Sequence, residues 1–267
     1  MSDRMKDRIA LITGGGSGIG AATARLLAEE GADVAVVEHP GRRDDAEIVA
    51  DDVRRVGQRA MVALADVADE EAVKRVFDET TADLGVPDCI VASAGVAGHP
   101  DNDGFAGLLD LDADQWQFVL DVNLNGVFFT IREGVRRMAE ASQSGSIVTL
   151  ASVAAKIPTA GVYSVSKSAV WMLTRAFALE AAPLGVRINA LGPGYVQTPM
   201  LDDAARLRGG SSSEWFDTWA ARVPLGRLGE PHDVALAALF LLSEDSRYLT
   251  GSLLHPDGGI AMRFAGG

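Results

Sequence analysis

Residues 13–20 read TGGGSGIG, and no other stretch constrains the chain as strongly. An apolar run, residues 9–12, leads into them and an alanine-rich segment starting at Ala21 follows. Glycine permits a sharp turn and lets another group approach the backbone without meeting a side chain. Between a strand and a helix, such a cluster suits a phosphate lying against a helix N-terminus. The spacing differs from the common dinucleotide fingerprint, with glycines at first, third and sixth positions. Gly14, Gly18 and Gly20 stand at first, fifth and seventh, and the lysine of a nucleotide-triphosphatase loop is absent. Alone, the segment suits a phosphate cradle, with a flexible turn as the alternative.

The surrounding pattern fixes the fold class. Short apolar runs predict strands at 9–13, 34–38, 60–64, 89–92, 146–150, 187–191 and near Leu253. Segments of helical period fall between them, at 18–30, 44–56, 70–84, 113–140, 163–182 and 232–242. Near-continuous apolar strands such as ALIT, VAVV and SIVTL belong to a parallel sheet covered on both faces. The expectation is an α/β, Rossmann-like, doubly wound sheet of about seven strands in one domain, residues 1–267. Its crevice should lie beyond the C-terminal strand ends, bringing Gly14 to Gly20, Glu38, Asp66, Ala94, Ser152 and Gly194 to one rim. Residues 197–230 show no strand. Trp215, Phe216 and Trp219 in that stretch predict a lid closing on something apolar.

Composition narrows the function. The formal charge of −13 opposes binding to nucleic acid or an anionic membrane. The charged N-terminus, MSDRMKDR, does not resemble a signal peptide, and the longest apolar run is too short to span a bilayer, so a cytoplasmic protein is expected. The single cysteine, Cys89, reads as buried apolar filler. His39, His99, His232 and His255 show no ligand spacing, so no metal is expected.

Chemistry is concentrated in YSVSK, where Tyr163 and Lys167 stand four apart at the head of a predicted helix. That spacing puts phenol and ammonium on one face. A positive neighbour favours the phenolate, drawing a pKa of about 10 toward the general acid–base range. The pair is accompanied in order by TGGGSGIG, VASAG, Asn123 in DVNLNG, Ser152 in LASVAA, NALGPGYVQTPM and GRLGEP through YLTGSLLHPDGG. From Asp7 to Met262 the chain resembles the short-chain dehydrogenase/reductase family.

The resemblance implies a role for each matching position. Tyr163 would exchange a proton with the substrate oxygen. Lys167 would lower the tyrosine pKa and hold the nicotinamide ribose. Ser152 would hydrogen-bond the substrate oxygen, and Asn123 would position a water in the proton relay. Gly14, Ser17, Gly18, Ile19 and Gly20 would form the pyrophosphate turn. Asp66 and Val67 would meet the adenine, with Asp66 on its amino group, and Ala94 and Gly95 would border the cofactor. Pro193, Gly194 and Val196 would shape the turn beneath the nicotinamide, whose carboxamide Thr198 would hold. The family's usual NNAG reads ASAG here, so a structural asparagine is replaced by Ser93. HPDGG stands where VDGG is more usual.

Three further expectations follow. Glu38, ending the second strand, can bind the adenosine ribose hydroxyls and repel a 2′-phosphate, which favours NAD. Arg42 and Arg43 are the counterargument, since either could reach a phosphate. Apolar residues on helices 113–140 and 163–182, among them Val119, Val122, Val127, Phe128, Ile131, Val170, Leu173, Phe177 and Leu179, suggest a homotetramer like those of family members. The expected small-molecule substrate is a neutral, fairly hydrophobic secondary alcohol or ketone, because residues 96–100, Ala154, Ile157, Tyr195, Met200 and the aromatic lid are mostly apolar and show no arginine clamp. The alternatives are a 3-oxoacyl-thioester reductase, docking its carrier on Arg132, Arg136, Arg137 and Arg175, and a non-catalytic dinucleotide sensor.

Overall fold

The computed structural model describes residues 3–100, 107–158, 160–207 and 212–263. Seven strands form one parallel sheet in the order β3-β2-β1-β4-β5-β6-β7. They are β1 (Ile9–Thr13), β2 (Asp33–Glu38), β3 (Ala60–Leu64), β4 (Cys89–Ala92), β5 (Gly145–Leu150), β6 (Val186–Leu191) and β7 (Leu253–Leu254). The chain winds outward from β1 in one direction and from β4 in the other, leaving a crevice beyond the strand ends between them.

Strand alternation divides the core in two. Ala10, Ile12, Val34, Val36, Cys89 and Val91 face α1 (Gly18–Glu29), α2 (Arg43–Arg55) and α9 (Pro231–Leu242). Leu11, Ala35, Val37, Ile90 and Ala92 face α3 (Glu70–Asp83), α5 (Gly126–Glu140) and α6 (Gly161–Ala181). Burial pushes the Cys89 thiol's pKa up, as fits an inert apolar filler.

The helix expected over 113–140 is interrupted. It runs as α4 (Ala113–Leu120), a π-turn (Asp121–Asn125) and then α5. The region without strands also has structure: α7 (Pro199–Leu207) and α8 (Ser212–Ala220) flank residues 208–211, which lie outside the described residues. Ala204, Ala205, Trp219 and Leu228 form a third apolar cluster with Tyr195, Leu201, Trp215 and Phe216, separate from the two sheet cores. The chain closes with α10 (Ile260–Arg263).

Much of the apolar surface that the sequence suggests for subunit contact packs inward. Val119, Val127, Ile131 and Val170 are buried, and Val122, Phe128, Leu173 and Phe177 are half-buried. Leu179 is exposed, as are Val165 and Met172 at seven-residue intervals along the same helix. No helix among the described residues is long and apolar enough to cross a membrane, and none of their His, Cys, Asp or Glu side chains form a metal-binding group.

Candidate active site

A cleft of about 1100 Å³ opens at the C-terminal strand ends. Of the expected site residues, Ser17, Gly18, Ile19, Glu38, Asp66, Val67, Ala94, Gly95, Ser152, Tyr163, Lys167, Pro193, Gly194, Val196 and Thr198 line it together with Gly14. Gly20 and Asn123 stand behind its wall.

The glycine turn owes its shape to close backbone approaches. Gly14 has φ +64°, and a Cβ there would sit 2.9 Å from the backbone of Ala94. A Cβ on Gly20 would sit 2.1 Å from the carbonyl oxygen of Gly14, so α1 starts directly beneath the turn. Ser17 caps α1 without a side-chain hydrogen bond, and the first turn of that helix contains no carboxylate. Both features leave a helix N-terminus open to an anion. The residues present therefore fit a dinucleotide pyrophosphate. Thr198 packs over the turn, its methyl 3.2 Å from where a Gly18 Cβ would be.

Glu38 is buried at the rim. Its carboxylate accepts hydrogen bonds from the backbone N–H of Gly16 and of His39, both at 2.9 Å. Arg42 also lines the cleft but pairs with Asp45 at 2.9 Å, while Arg43 lies 3.5 Å from Glu47. Asp66 accepts from the N–H of Ala68, and the helix cap falls to Asp69, which accepts from Glu71 at 2.9 Å. Where the family's asparagine is missing, the hydroxyl of Thr13 ties β1 to the end of β4 by accepting from the N–H groups of Ser93 and Ala94, at 3.2 and 3.3 Å.

Three groups converge at the centre. Ser152 leaves β5 in an extended conformation, and its hydroxyl accepts from the N–H of Ala154 at 3.1 Å. Tyr163 lies in the first turn of α6, and Lys167 one turn further along the same face. Lys167 is buried and donates to the Leu150 carbonyl at 2.8 Å, with its nitrogen 5.6 Å from the tyrosine ring centre. Burial lowers its pKa to about 8. The phenol differs from the expectation: its enclosed position pushes the pKa of Tyr163 up, opposed by a hydrogen bond with Ser152. Desolvation, which sequence spacing does not reveal, is the larger cause of that shift.

Asn123 sits in the π-turn, fully buried. Its side-chain carbonyl accepts from the N–H of Val96 at 2.8 Å, and its amide donates to the Val96 carbonyl at 2.9 Å and to Ser166 at 3.2 Å. That fastens the segment after β4 to the helix carrying Tyr163.

The far end of the cleft is apolar, with Val96, Phe118, Ile157, Tyr195, Met200 and Trp219 among its walls. Trp219 is buried and stacks on Tyr195 with ring centres 5.7 Å apart. Arg206 and Arg222 also line this cleft, where the sequence offers no obvious arginine clamp. The missed signal for Arg222 was its position three residues beyond Trp219, the distance of one helical turn.

Comparison with known proteins agrees with this geometry. The family model described as Enoyl-(Acyl carrier protein) reductase matches residues 14–261. A cis-4-hydroxycyclohexanecarboxylate dehydrogenase of Sinomonas cyclohexanicum is 38% identical, over 97% of this chain and 98% of its own length. An NADP-dependent (R)-specific alcohol dehydrogenase of Lentilactobacillus kefiri is 35% identical, over 97% and 98% respectively. The crystal structure of carveol dehydrogenase from Mycobacterium avium in complex with NAD superposes with a TM-score of 0.91 at 33% identity, covering 97% of this chain and 99% of that one. The chain belongs to the short-chain dehydrogenase/reductase family. Its class is therefore that of oxidoreductases built on a single-sheet dinucleotide fold.

Proposed function

We propose that this protein is an NAD-dependent dehydrogenase/reductase acting on a fairly hydrophobic, ring-containing secondary alcohol or its ketone. One observation carries the reading: Ser152, Tyr163 and Lys167 meet on the floor of a cleft whose other half is a glycine-lined helix N-terminus. The nicotinamide, when bound, supplies or accepts the hydride. Tyr163 gives its phenolic proton to the carbonyl oxygen in reduction and takes the hydroxyl proton in oxidation. Ser152 orients that oxygen through the hydrogen bond it shares with the phenol. Lys167, with a pKa of about 8, offers a positive charge beside the phenol at neutral pH, which favours the phenolate left after proton transfer. Asn123 is a positioning residue that holds Val96 at the cleft wall.

The buried Glu38 carboxylate at the rim supports NAD over NADP, since a 2′-phosphate there would meet a negative charge. Against it stand Arg42 in the cleft lining and the NADP dependence of the L. kefiri relative. The ring-shaped substrate rests on the apolar far wall and on the relatives named for a hydroxycyclohexane acid and for carveol. We further read the chain as one catalytic domain with α7 and α8 as its substrate lid, working in the cytoplasm. The exposed row Val165, Met172 and Leu179 supports a homotetramer, which light scattering would test and a monomer would reject.

A relative named 3-oxoacyl-[acyl-carrier-protein] reductase, from Staphylococcus aureus and 33% identical over 95% of this chain, keeps 3-oxoacyl-thioester reduction as the second reading. Its proposed carrier dock is weakened by packing: Arg132 stacks on Phe128 and pairs with Glu70 at 2.5 Å, and Arg137 pairs with Glu133 and Asp78, each at 2.7 Å. The deciding experiment sets oxidation of cyclic secondary alcohols, with NAD and with NADP, beside reduction of an acetoacetyl thioester. Efficient thioester reduction with negligible alcohol turnover would install the second reading, and higher kcat/KM with NADP would overturn the cofactor assignment.

A further inference from the structure

The charges along the cleft are sorted by position. Glu38, Asp66 and Arg42 belong to the half beyond β2 and β3, where the adenosine would lie. Arg206 and Arg222 belong to the other half, because the segment carrying them follows β6 and packs through Trp219 onto Tyr195. Arg206 is paired at 2.9 Å with Asp203, which lines the same cleft, so the two together bring no net charge to it. Arg222 is exposed, follows the lid tryptophan in a turn closed by its N–H on the Trp219 carbonyl at 3.0 Å, and makes no ion pair or side-chain hydrogen bond among the described residues.

An uncommitted guanidinium at the mouth of an apolar cleft suits a ligand with a hydrophobic body and an anionic end. Guanidinium binds carboxylate through two parallel hydrogen bonds, giving orientation as well as attraction. The protein as a whole carries a charge of −13 and repels anions, so an anionic substrate needs a local positive site to enter. We propose that Arg222 anchors a carboxylate carried by the cyclic alcohol substrate and so selects hydroxy acids over neutral alcohols. The inference rests on the dehydrogenase reading above and departs from the expectation of a neutral substrate.

The test measures kcat/KM for NADH formation with cyclohexanol, with hydroxycyclohexanecarboxylic acids bearing the carboxylate on the ring or on a short arm, and with their methyl esters. Wild type should favour at least one acid over its ester, less so at high ionic strength. In Arg222→Ala the acid-to-ester ratio should fall by about tenfold or more, mainly through KM, as expected for loss of a charged hydrogen bond. Arg222→Lys should restore part of that ratio, and melting curves should show both variants folded. An ester preference in wild type, or an unchanged ratio in Arg222→Ala, would overturn the anchor while leaving the dehydrogenase reading intact. Failure to oxidise any of the alcohols would overturn both.

Discussion

Replacing Lys167 with methionine should stabilise the fold while ending turnover. The lysine is buried, and its pKa falls from the ordinary 10.5 to about 8. Below pH 8 the folded and unfolded states both carry the proton, and the folded state bears the whole cost of the buried charge, about 3 kcal/mol. Between pH 8 and 10.5 the folded lysine is neutral while the unfolded one still binds a proton. The unfolded state then binds more protons, so wild-type stability rises with pH across that window. Methionine has similar length and no charge to desolvate, but it leaves the Leu150 carbonyl without its donor, at a cost of about 1–2 kcal/mol. At pH 7 the variant should be ahead by about 1–2 kcal/mol, a few degrees in Tm for a chain of this size. Thermal melts from pH 7 to 10 should show that lead shrinking and the order reversing at about pH 9.5. A gap that does not change with pH, or a variant less stable than wild type at pH 7, would refute the argument.

Tyr163→Phe removes the phenolic proton that the proposed mechanism passes to the substrate oxygen, so turnover should vanish while NADH binding, followed by fluorescence, stays close to wild type. Equal cofactor binding by both proteins with no oxidation of any alcohol by wild type would instead favour a dinucleotide sensor. Gly20→Ala forces a methyl to 2.1 Å from the Gly14 oxygen, and backbone cannot yield there cheaply. Stability should drop by about 3 kcal/mol in denaturant titration, with dinucleotide affinity falling too, and a variant matching wild type in both would contradict the close approach.

The sheet was readable because its central strands are buried on both faces and therefore apolar without interruption; β1 and β4 match their predicted limits residue for residue, as does the partly buried edge strand β3. The stretch 113–140 read as one helix because it is apolar on both sides of the break, and the π-turn at Asp121–Asn125 has no residue signature of its own. Residues 197–230 were opaque for another reason. Their apolar side chains serve a small cluster of their own instead of a sheet face, so neither strand alternation nor a long helical stripe develops. The site's residue types were visible in YSVSK and TGGGSGIG, but the direction of the Tyr163 shift was not, because enclosure depends on chain segments distant in sequence. Arg222 lay one helical turn from an aromatic already singled out, and composition alone gave no sign that it faces the cleft.

The excursion between β6 and α9 begins and ends at one place. Val196 and Gly229 form an isolated parallel bridge, with Gln197 donating to Gly229 and Gly229 to Tyr195, both at 2.9 Å. Some thirty residues are thus tied off like a purse at its neck, with an apolar filling that borrows little from the sheet. Insertions, deletions and exchanges inside the purse leave the register of all seven strands untouched. Selectivity can therefore be rewritten, by descent or by grafting the whole excursion from a relative, without renegotiating the dinucleotide scaffold beneath it.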